Sequence, residues 1–177
     1  MSESMSGPFM HAFLVLAVAG PFLSALIVGV SLVLSKQWLS ERAVAVVIRT
    51  GLFVSVIASL GVITTYLGGF GAPVRGEIDY GNWLAVGDYA IPLTLLVDQG
   101  ALVFSLLASV LKLLVARFSR TYLHKEPGFD RFFFLIGVFA AGTQLVAFAG
   151  ALDLLFAGWE LIGISSALFI GFYHERD

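Results

Sequence analysis

The chain has 177 residues, of which 59% are hydrophobic and only 12% are charged, and its mean hydropathy is +0.95. A soluble domain is usually nearer half apolar and a quarter charged, so this composition predicts an integral membrane protein. The net charge of -2 argues against a basic surface for nucleic acid. The absence of cysteine excludes disulfides and thiolate metal sites.

Five apolar stretches are long enough to cross a hydrocarbon core about 30 Å thick as helices. Pro21 predicts a mild kink in the first stretch, and only Gly150 and Ala151 separate the last two, which predicts a tight antiparallel helical hairpin. The residues before the first stretch lack the basic residue of a secretory signal, so we interpret that stretch as a retained span. The sequence therefore predicts an all-α membrane protein, residues 1–177 forming one membrane domain with helices over 9–34, 43–67, 98–116, 132–149 and 152–172.

The second connection, residues 68–97, is long and predicts an external loop with a β-hairpin. Asn82–Val86 and Tyr89–Val97 are interpreted as its strands around a Gly87-Asp88 turn, and Pro92 favours an edge strand. Asp98 then follows at the start of the third helix. Its predicted role is structural, as the N-cap that accepts a backbone N–H, and the less favoured alternative is a buried proton site.

The basic residues predict the orientation of the helices. Eight flank the first and third connections or follow the fifth helix, whereas the second connection holds only Arg75. We therefore expect an inner (cytoplasmic) membrane protein with its N-terminus outside and its C-terminus cytoplasmic. The eight are Lys36, Arg42, Arg49, Arg117, Arg120, Lys125, Arg131 and Arg176.

Glu160 is the main candidate proton site, because it stands inside the apolar fifth helix. It lies about 12 Å along the axis from Leu152, near the middle of the membrane. A carboxylate there is costly unless it is paired, hydrated or protonated. The alternative is a structural carboxylic acid held neutral by a hydrogen bond. Gly163 is expected to let another helix approach closely, together with small residues at four-residue spacing.

Two other charged residues are secondary candidates for proton translocation. Asp153 lies near the outer boundary, where a helix-start cap with solvent access is the favoured interpretation. Lys112 is about 21 Å along the third helix from Asp98, too deep for direct pairing with Glu160. For Lys112 the favoured interpretation is a side chain snorkelling to the cytoplasmic interface beside Arg117.

Several motifs from residue 82 onwards resemble the antiporter-like subunits of respiratory complex I and of Mrp-type sodium/proton antiporters. After the hairpin and Asp98, the matching pieces are Tyr122-Leu123, Pro127-Gly128-Phe129-Asp130-Arg131-Phe132-Phe133, Gly158-Trp159-Glu160-Leu161-Ile162-Gly163 and Ser165–Phe172. In this family the glutamate of the Trp-Glu motif faces a lysine on a later helix and takes part in proton movement. The resemblance implies that role for Glu160 and structural roles for Trp159 and Arg131.

The ending Phe172-Tyr173-His174-Glu175-Arg176 looks closer to the family branch that partners a large zinc-containing protein in inorganic-carbon uptake. His174 is expected at a solvated helix end, and the alternative is a proton-entry role. The family unit has many more helices, so we expect either the N-terminal piece of a split subunit or a truncated product. Expected partners are membrane subunits that supply the remaining antiporter helices, and the lipid bilayer.

Three function classes remain open at this point. The favoured one is a proton-translocating, or cation/proton-coupled, subunit of a larger assembly, of complex I, Mrp or carbon-uptake type. The second is a structural membrane subunit. The third, an enzyme with its own chemistry, is poorly supported, because His11, His124 and His174 are scattered and no nucleophile–base pair or phosphate loop is visible. No cofactor or metal is expected.

Overall fold

Five long helices dominate the protein. The computed structural model describes residues 8–34, 39–68, 76–87 and 89–173, and five helices in these ranges are long and apolar enough to cross a membrane. The predicted fold class is confirmed. The helices are α1 (Pro8–Val33), α2 (Glu41–Gly68), α3 (Gln99–Tyr122), α4 (Phe129–Phe148) and α5 (Leu152–Ile170), and a 3₁₀ turn follows at Gly171–Tyr173.

Two helices are longer than predicted at the same end of the bundle. α3 continues six residues beyond the predicted end at Ala116, and α4 begins at Phe129 instead of Phe132. The added turns carry Arg117, Arg120 and Arg131, which an apolar window excludes although they are good helix formers in the headgroup region. The span boundaries predicted from hydropathy were therefore too short here.

The helices pack around α4. α1 packs against α2 and α4, and α3 packs against α2 and α4, whereas the main helix contact of α5 is with α4. As a result α5 has the smallest buried share of the five helices. The side of α5 that faces away from α4 is therefore largely uncovered.

The predicted α4–α5 hairpin is confirmed, and two glycines make it tight. A Cβ placed on Gly142 would lie 2.8 Å from the carbonyl oxygen of Gly158, and a Cβ on Gly158 would lie 2.8 Å from that of Gly142. The two backbones can approach this closely only because both positions lack a side chain.

The connection between α2 and α3 contains the predicted antiparallel hairpin, with strands β1 (Gly76–Val86) and β2 (Tyr89–Val97). β1 begins six residues earlier than predicted. Its pairing is irregular between Asp79 and Asn82, where Gly81 has a φ of +89° and donates its N–H to Asp79 Oδ1 at 2.8 Å. Because of this irregularity the first half of the strand does not show a regular strand pattern in the sequence, and it was not predicted. Residues 69–75 and Asp88, also part of the predicted loop, lie outside the described residues.

The hairpin covers one end of the helix bundle. Ile78, Leu95 and Val97 are buried there, and they join an apolar cluster that includes residues of all five helices. The N–H of Gly150 donates to the carbonyl oxygen of Thr94 at 2.9 Å, which fixes the α4–α5 connection to β2.

The opposite end of the bundle carries the basic residues. Helix ends place Arg42, Arg117, Arg120 and Arg131 there, and His124 Nδ1 joins Glu41 Oε2 at 2.9 Å, connecting the end of α3 to the start of α2. The predicted clustering of basic residues at one end is confirmed for those within the described ranges. Lys36, Arg75 and Arg176 lie outside them.

Candidate functional site

A polar layer crosses the middle of the bundle between two apolar clusters. One cluster lies under the hairpin, and the other lies near the basic end around Ile48, Phe133 and Ile136. Seven buried polar side chains separate them, contributed by three helices. We call these residues the polar layer: Ser55 and Ser59 of α2, Ser105, Ser109 and Lys112 of α3, and Thr143 and Gln144 of α4.

Gln144 is the centre of the hydrogen bonding in this layer. Its Oε1 accepts from Ser105 Oγ at 2.8 Å, and its Nε2 donates to Ser109 Oγ at 2.5 Å. Ser59 Oγ lies 2.8 Å from Ser105 Oγ, which connects α2 to the same network. Buried polar groups that satisfy one another in this way fix the relative positions of helices.

Lys112 belongs to this layer and is only 8% exposed. Its Nζ donates to Thr143 Oγ1, and the hydroxyl of Thr143 in turn donates to the carbonyl oxygen of Ala140 at 2.8 Å. The ring of Phe139 lies 5.8 Å from the amino group. No carboxylate is recorded as an ion-pair partner of Lys112 within the described part of the chain.

The predicted snorkelling of Lys112 is therefore wrong. Its position on α3 explains the difference, because Ser105, Ser109 and Lys112 follow one another at spacings of four and three residues and so share one helix face. That face packs against α2 and α4, and the side chain is held inside the bundle instead of reaching the interface.

Glu160 occupies a different environment from Lys112. It is exposed on α5, beside Trp159, which is 69% exposed. A Cβ placed on Gly163 would meet no atom within 4 Å, so the small residue expected at a close helix contact faces outward here. As expected from their different depths, Glu160 and Lys112 are not brought together.

The other candidate residues lie at helix ends. Asp98 is the N-cap of α3, as predicted, and its Oδ1 accepts the N–H of Ala101 at 2.8 Å. Asp153 is in the first turn of α5 and partly exposed, but the N-cap is Ala151, which corrects the predicted capping position. Arg131 is exposed on α4 and lines a cleft of about 500 Å³. His174 lies outside the described residues.

The motifs that carry the family resemblance pack against one another. Phe132 makes edge-to-face contacts with Phe169 and Phe172, with ring centroids 5.3 and 5.4 Å apart. Gly128 precedes α4 with a φ of +87°, a conformation that favours glycine. The start of α4 and the end of α5 thus form one aromatic contact.

Sequence reasoning missed Thr143 and Gln144, which give the polar layer its acceptors. A signal existed: Ser55 and Ser59 on α2, and Ser105 and Ser109 on α3, each recur at a spacing of four inside apolar helices. Such a stripe predicts an interhelical polar contact. What the sequence lacked was the pairing of helices, which decides whether these stripes meet.

Comparison with known proteins gives the same family as these motifs. Residues 83–133 match the family described as NADH-ubiquinone oxidoreductase (complex I), chain 5 N-terminus. The chain is homologous to the N-terminal part of antiporter-like complex I subunits. That matched region contains the last four residues of β1, all of β2 and α3, and the Pro127–Phe133 motif.

Relatives of this family align over much of the chain. NAD(P)H-quinone oxidoreductase chain 5 of Picosynechococcus is 25% identical over 88% of the chain and 23% of its own length. Subunit L of NADH-quinone oxidoreductase from Buchnera aphidicola is 30% identical over 77% and 22%, and that of Escherichia coli is 32% identical over 56% and 17%. The chain thus spans less than a quarter of the length of these relatives.

Proposed function

We propose that this chain is part of a proton-translocating membrane assembly, to which it contributes the carboxyl group of Glu160. The homology supports this class of function, since the relatives carry the names of quinone oxidoreductase subunits. The remaining helices of an antiporter-like unit would come from other membrane subunits or from further sequence.

One observation carries the proposal: Glu160 points away from the bundle at the middle of an apolar helix. Its neighbours on α5 are apolar, including Phe156 and Ile164, which are 63% and 55% exposed. A carboxyl group facing lipid at that depth costs several kcal/mol. In the assembly, protein or water must therefore cover this face, and a covered carboxyl group with access to water can exchange a proton.

Covering of this face is tested with a lipid-soluble photoactivatable carbene reagent, which labels lipid-facing side chains without needing a thiolate. Ile164 should be labelled in the isolated chain and become protected in the assembly. Ala140, which is buried at 2% exposure, should be labelled in neither and shows that the reagent reports exposure. Equal labelling of Ile164 in both states would contradict the proposed covering.

Measuring the yield of the assembled complex distinguishes a proton-carrying Glu160 from a purely structural one. If Glu160 carries protons, Glu160→Gln should assemble at the wild-type level, because glutamine keeps the size and hydrogen-bonding capacity. If Glu160 is structural, the yield should fall while the surviving complex keeps its activity. Asp153→Asn, which removes a carboxylate from the first turn of the same helix, is the comparison variant and should have a far milder effect than Glu160→Gln on transport.

Lys112 is proposed as a second protonatable group of the same assembly. Its amino group is buried and bonded to a hydroxyl within the polar layer, so the hydrogen-bonded side chains offer donors and acceptors next to it. Asp153 and His174 are kept as secondary candidates at the two ends of α5.

The membrane in which the chain lies, its orientation and a soluble partner are proposed from the sequence. The chain is a multi-pass membrane protein, and we place it in the inner membrane with the hairpin outside and the basic end in the cytoplasm. A soluble zinc-containing partner, and with it a role in inorganic-carbon uptake, rests on residues 172–176, most of which lie outside the described ranges.

A further inference from the structure

A cleft on the surface between α2 and α3 is distinct from both the polar layer and Glu160. Its volume is about 450 Å³, and α2 contributes four lining residues and α3 two. No lining residue is acidic, and two are arginines. The lining residues are Val46, Arg49, Thr50, Phe53, Leu113 and Arg117.

The backbones of the two arginines lie a few ångströms inside the hydrocarbon boundary, close enough for their guanidinium groups to reach the lipid headgroups. Arg49 is eight residues from the start of α2, about 12 Å along the axis, and Arg117 is five residues from the end of α3, about 8 Å. α2 has 28 residues and is therefore longer than the hydrocarbon core, so its ends extend into the headgroup region. Arginine at this depth extends its guanidinium towards the interface.

Arg49 has an unused hydrogen-bond donor. Its Nε is buried and has no hydrogen-bond partner among the described residues. A buried donor without an acceptor is destabilising. Because a water-sized group cannot reach this atom in the present side-chain conformation, an acceptor in the cleft, which Arg49 itself lines, bonds to it only when the side chain turns.

We propose that this cleft binds one anionic phospholipid, with the headgroup phosphate between Arg49 and Arg117. Guanidinium groups bind phosphate oxygens through paired hydrogen bonds, and basic pockets between membrane helices are typical sites for acidic lipid headgroups. A phosphate here draws the side chain of Arg49 towards the cleft and gives its Nε the acceptor that it lacks.

The apolar lining favours a lipid over a free phosphate ion. Val46 and Phe53 are 53% and 55% exposed, and both stand beside the arginines in the cleft. An acyl chain would cover these two side chains, and a free anion would leave them uncovered. The occupant is therefore a molecule with both a phosphate and a hydrocarbon chain.

The site is tested with photoactivatable phosphatidylglycerol, whose reactive group is on an acyl chain, in nanodiscs that contain the full chain. The label should map to the α2 and α3 segments around residues 46–53 and 113–117. Phosphatidylcholine carrying the same group should label these segments weakly. Each arginine removed, in Arg49→Gln and Arg117→Gln, should weaken phosphatidylglycerol binding about fivefold.

Three controls make the outcome decisive. Arg42→Gln removes a charge from the neighbouring cleft at the same end. Because Arg42 does not line the proposed site, this change should alter labelling less than twofold, whereas each charge in contact with the phosphate contributes about fivefold, or about 1 kcal/mol. Thr50→Trp fills the cleft without removing a charge and should abolish labelling, which separates occupancy from folding defects in the arginine variants. Displacement of the label by inorganic phosphate would show a free-anion site instead.

Besides displacement by phosphate, any of three further results overturns the proposal. These are equal labelling by the two lipids, unchanged labelling when Arg49→Gln and Arg117→Gln are combined, and an equal loss in Arg42→Gln, which would indicate general surface charge. None of these outcomes depends on whether the assembly translocates protons.

Discussion

Lys112 shows how strongly one buried side chain depends on its neighbours. Its amino group has Thr143 Oγ1 as its recorded hydrogen-bond acceptor, and the apolar clusters lie on either side of the layer that contains it. A polar group in such surroundings is tolerated only while its partner remains.

We predict that Thr143→Val destabilises the chain by about 1 to 3 kcal/mol, because it leaves the amino group of Lys112 without an acceptor. In a Lys112→Met background the same change should cost clearly less. The free energy of unfolding in mixed micelles, measured for all four members of this double-mutant cycle, checks the coupling. Equal costs in both backgrounds would show that the hydrogen bond contributes nothing.

Tyr80 in β1 gives a second prediction at a single residue. Its hydroxyl is buried without a hydrogen-bond partner among the described residues, its ring packs edge-to-face on His11 at 5.6 Å, and burial raises its pKa above the ordinary value. Tyr80→Phe should therefore be neutral or stabilising by up to about 1 kcal/mol near pH 7.

The pH dependence of this variant has a defined sign. Above about pH 10 the unfolded tyrosine loses its proton before the folded one, so the unfolded state binds fewer protons and wild-type stability falls as pH rises. Thermal unfolding between pH 8 and 11 should thus show an advantage of Tyr80→Phe that grows towards high pH. A constant difference across this range would contradict burial of the hydroxyl.

At the scale of the elements, Gly142 at the α4–α5 contact and Gly163 on the uncovered side of α5 predict opposite outcomes. Gly142→Ala places a Cβ against the backbone of Gly158, so α4 and α5 must separate, at a cost of about 1 to 3 kcal/mol. Gly163→Ala meets open space and should be neutral or stabilising in the isolated chain, by up to about 1 kcal/mol.

The same pair of variants also reports on the assembly. If another helix packs on the Gly163 face, Gly163→Ala should lower complex yield while the isolated chain keeps its stability. Unfolding of the isolated chain and recovery of the complex by affinity purification measure the two effects separately. A destabilised Gly163→Ala chain together with an unaffected Gly142→Ala chain would reverse our assignment of these contacts.

The sequence predicted the elements well and the packing poorly. Long apolar runs predict spans, and Asp98 before α3 is a recognisable N-cap, so both were predicted correctly. Two of the missed features, the burial of Lys112 and the roles of Thr143 and Gln144, depend on which helices meet. A third, the first half of β1, was missed because an irregular pairing interrupts the strand pattern. Packing partners are a tertiary property, and no local periodicity contains them.

At the scale of the whole molecule, the bundle has two chemically different ends. The hairpin covers one end, and the other carries the arginines near the starts of α2 and α4 and the end of α3. A single cysteine beside Arg120 should react with an impermeant maleimide only from the cytoplasmic side, and a cysteine at Trp83 in β1 only from outside. Labelling in the reverse pattern would invert the proposed orientation.

Proton transport by the assembled complex tests the role of Glu160 most directly. It should be measured in vesicles containing the wild-type, Glu160→Gln and Glu160→Asp chains at equal amounts of complex. The proposal predicts that Glu160→Gln loses most transport, about tenfold or more as for a lost acid–base group. Glu160→Asp should retain part of it, because a titratable carboxyl group remains. Full transport by the assembled Glu160→Gln complex would contradict a proton-carrying role for Glu160.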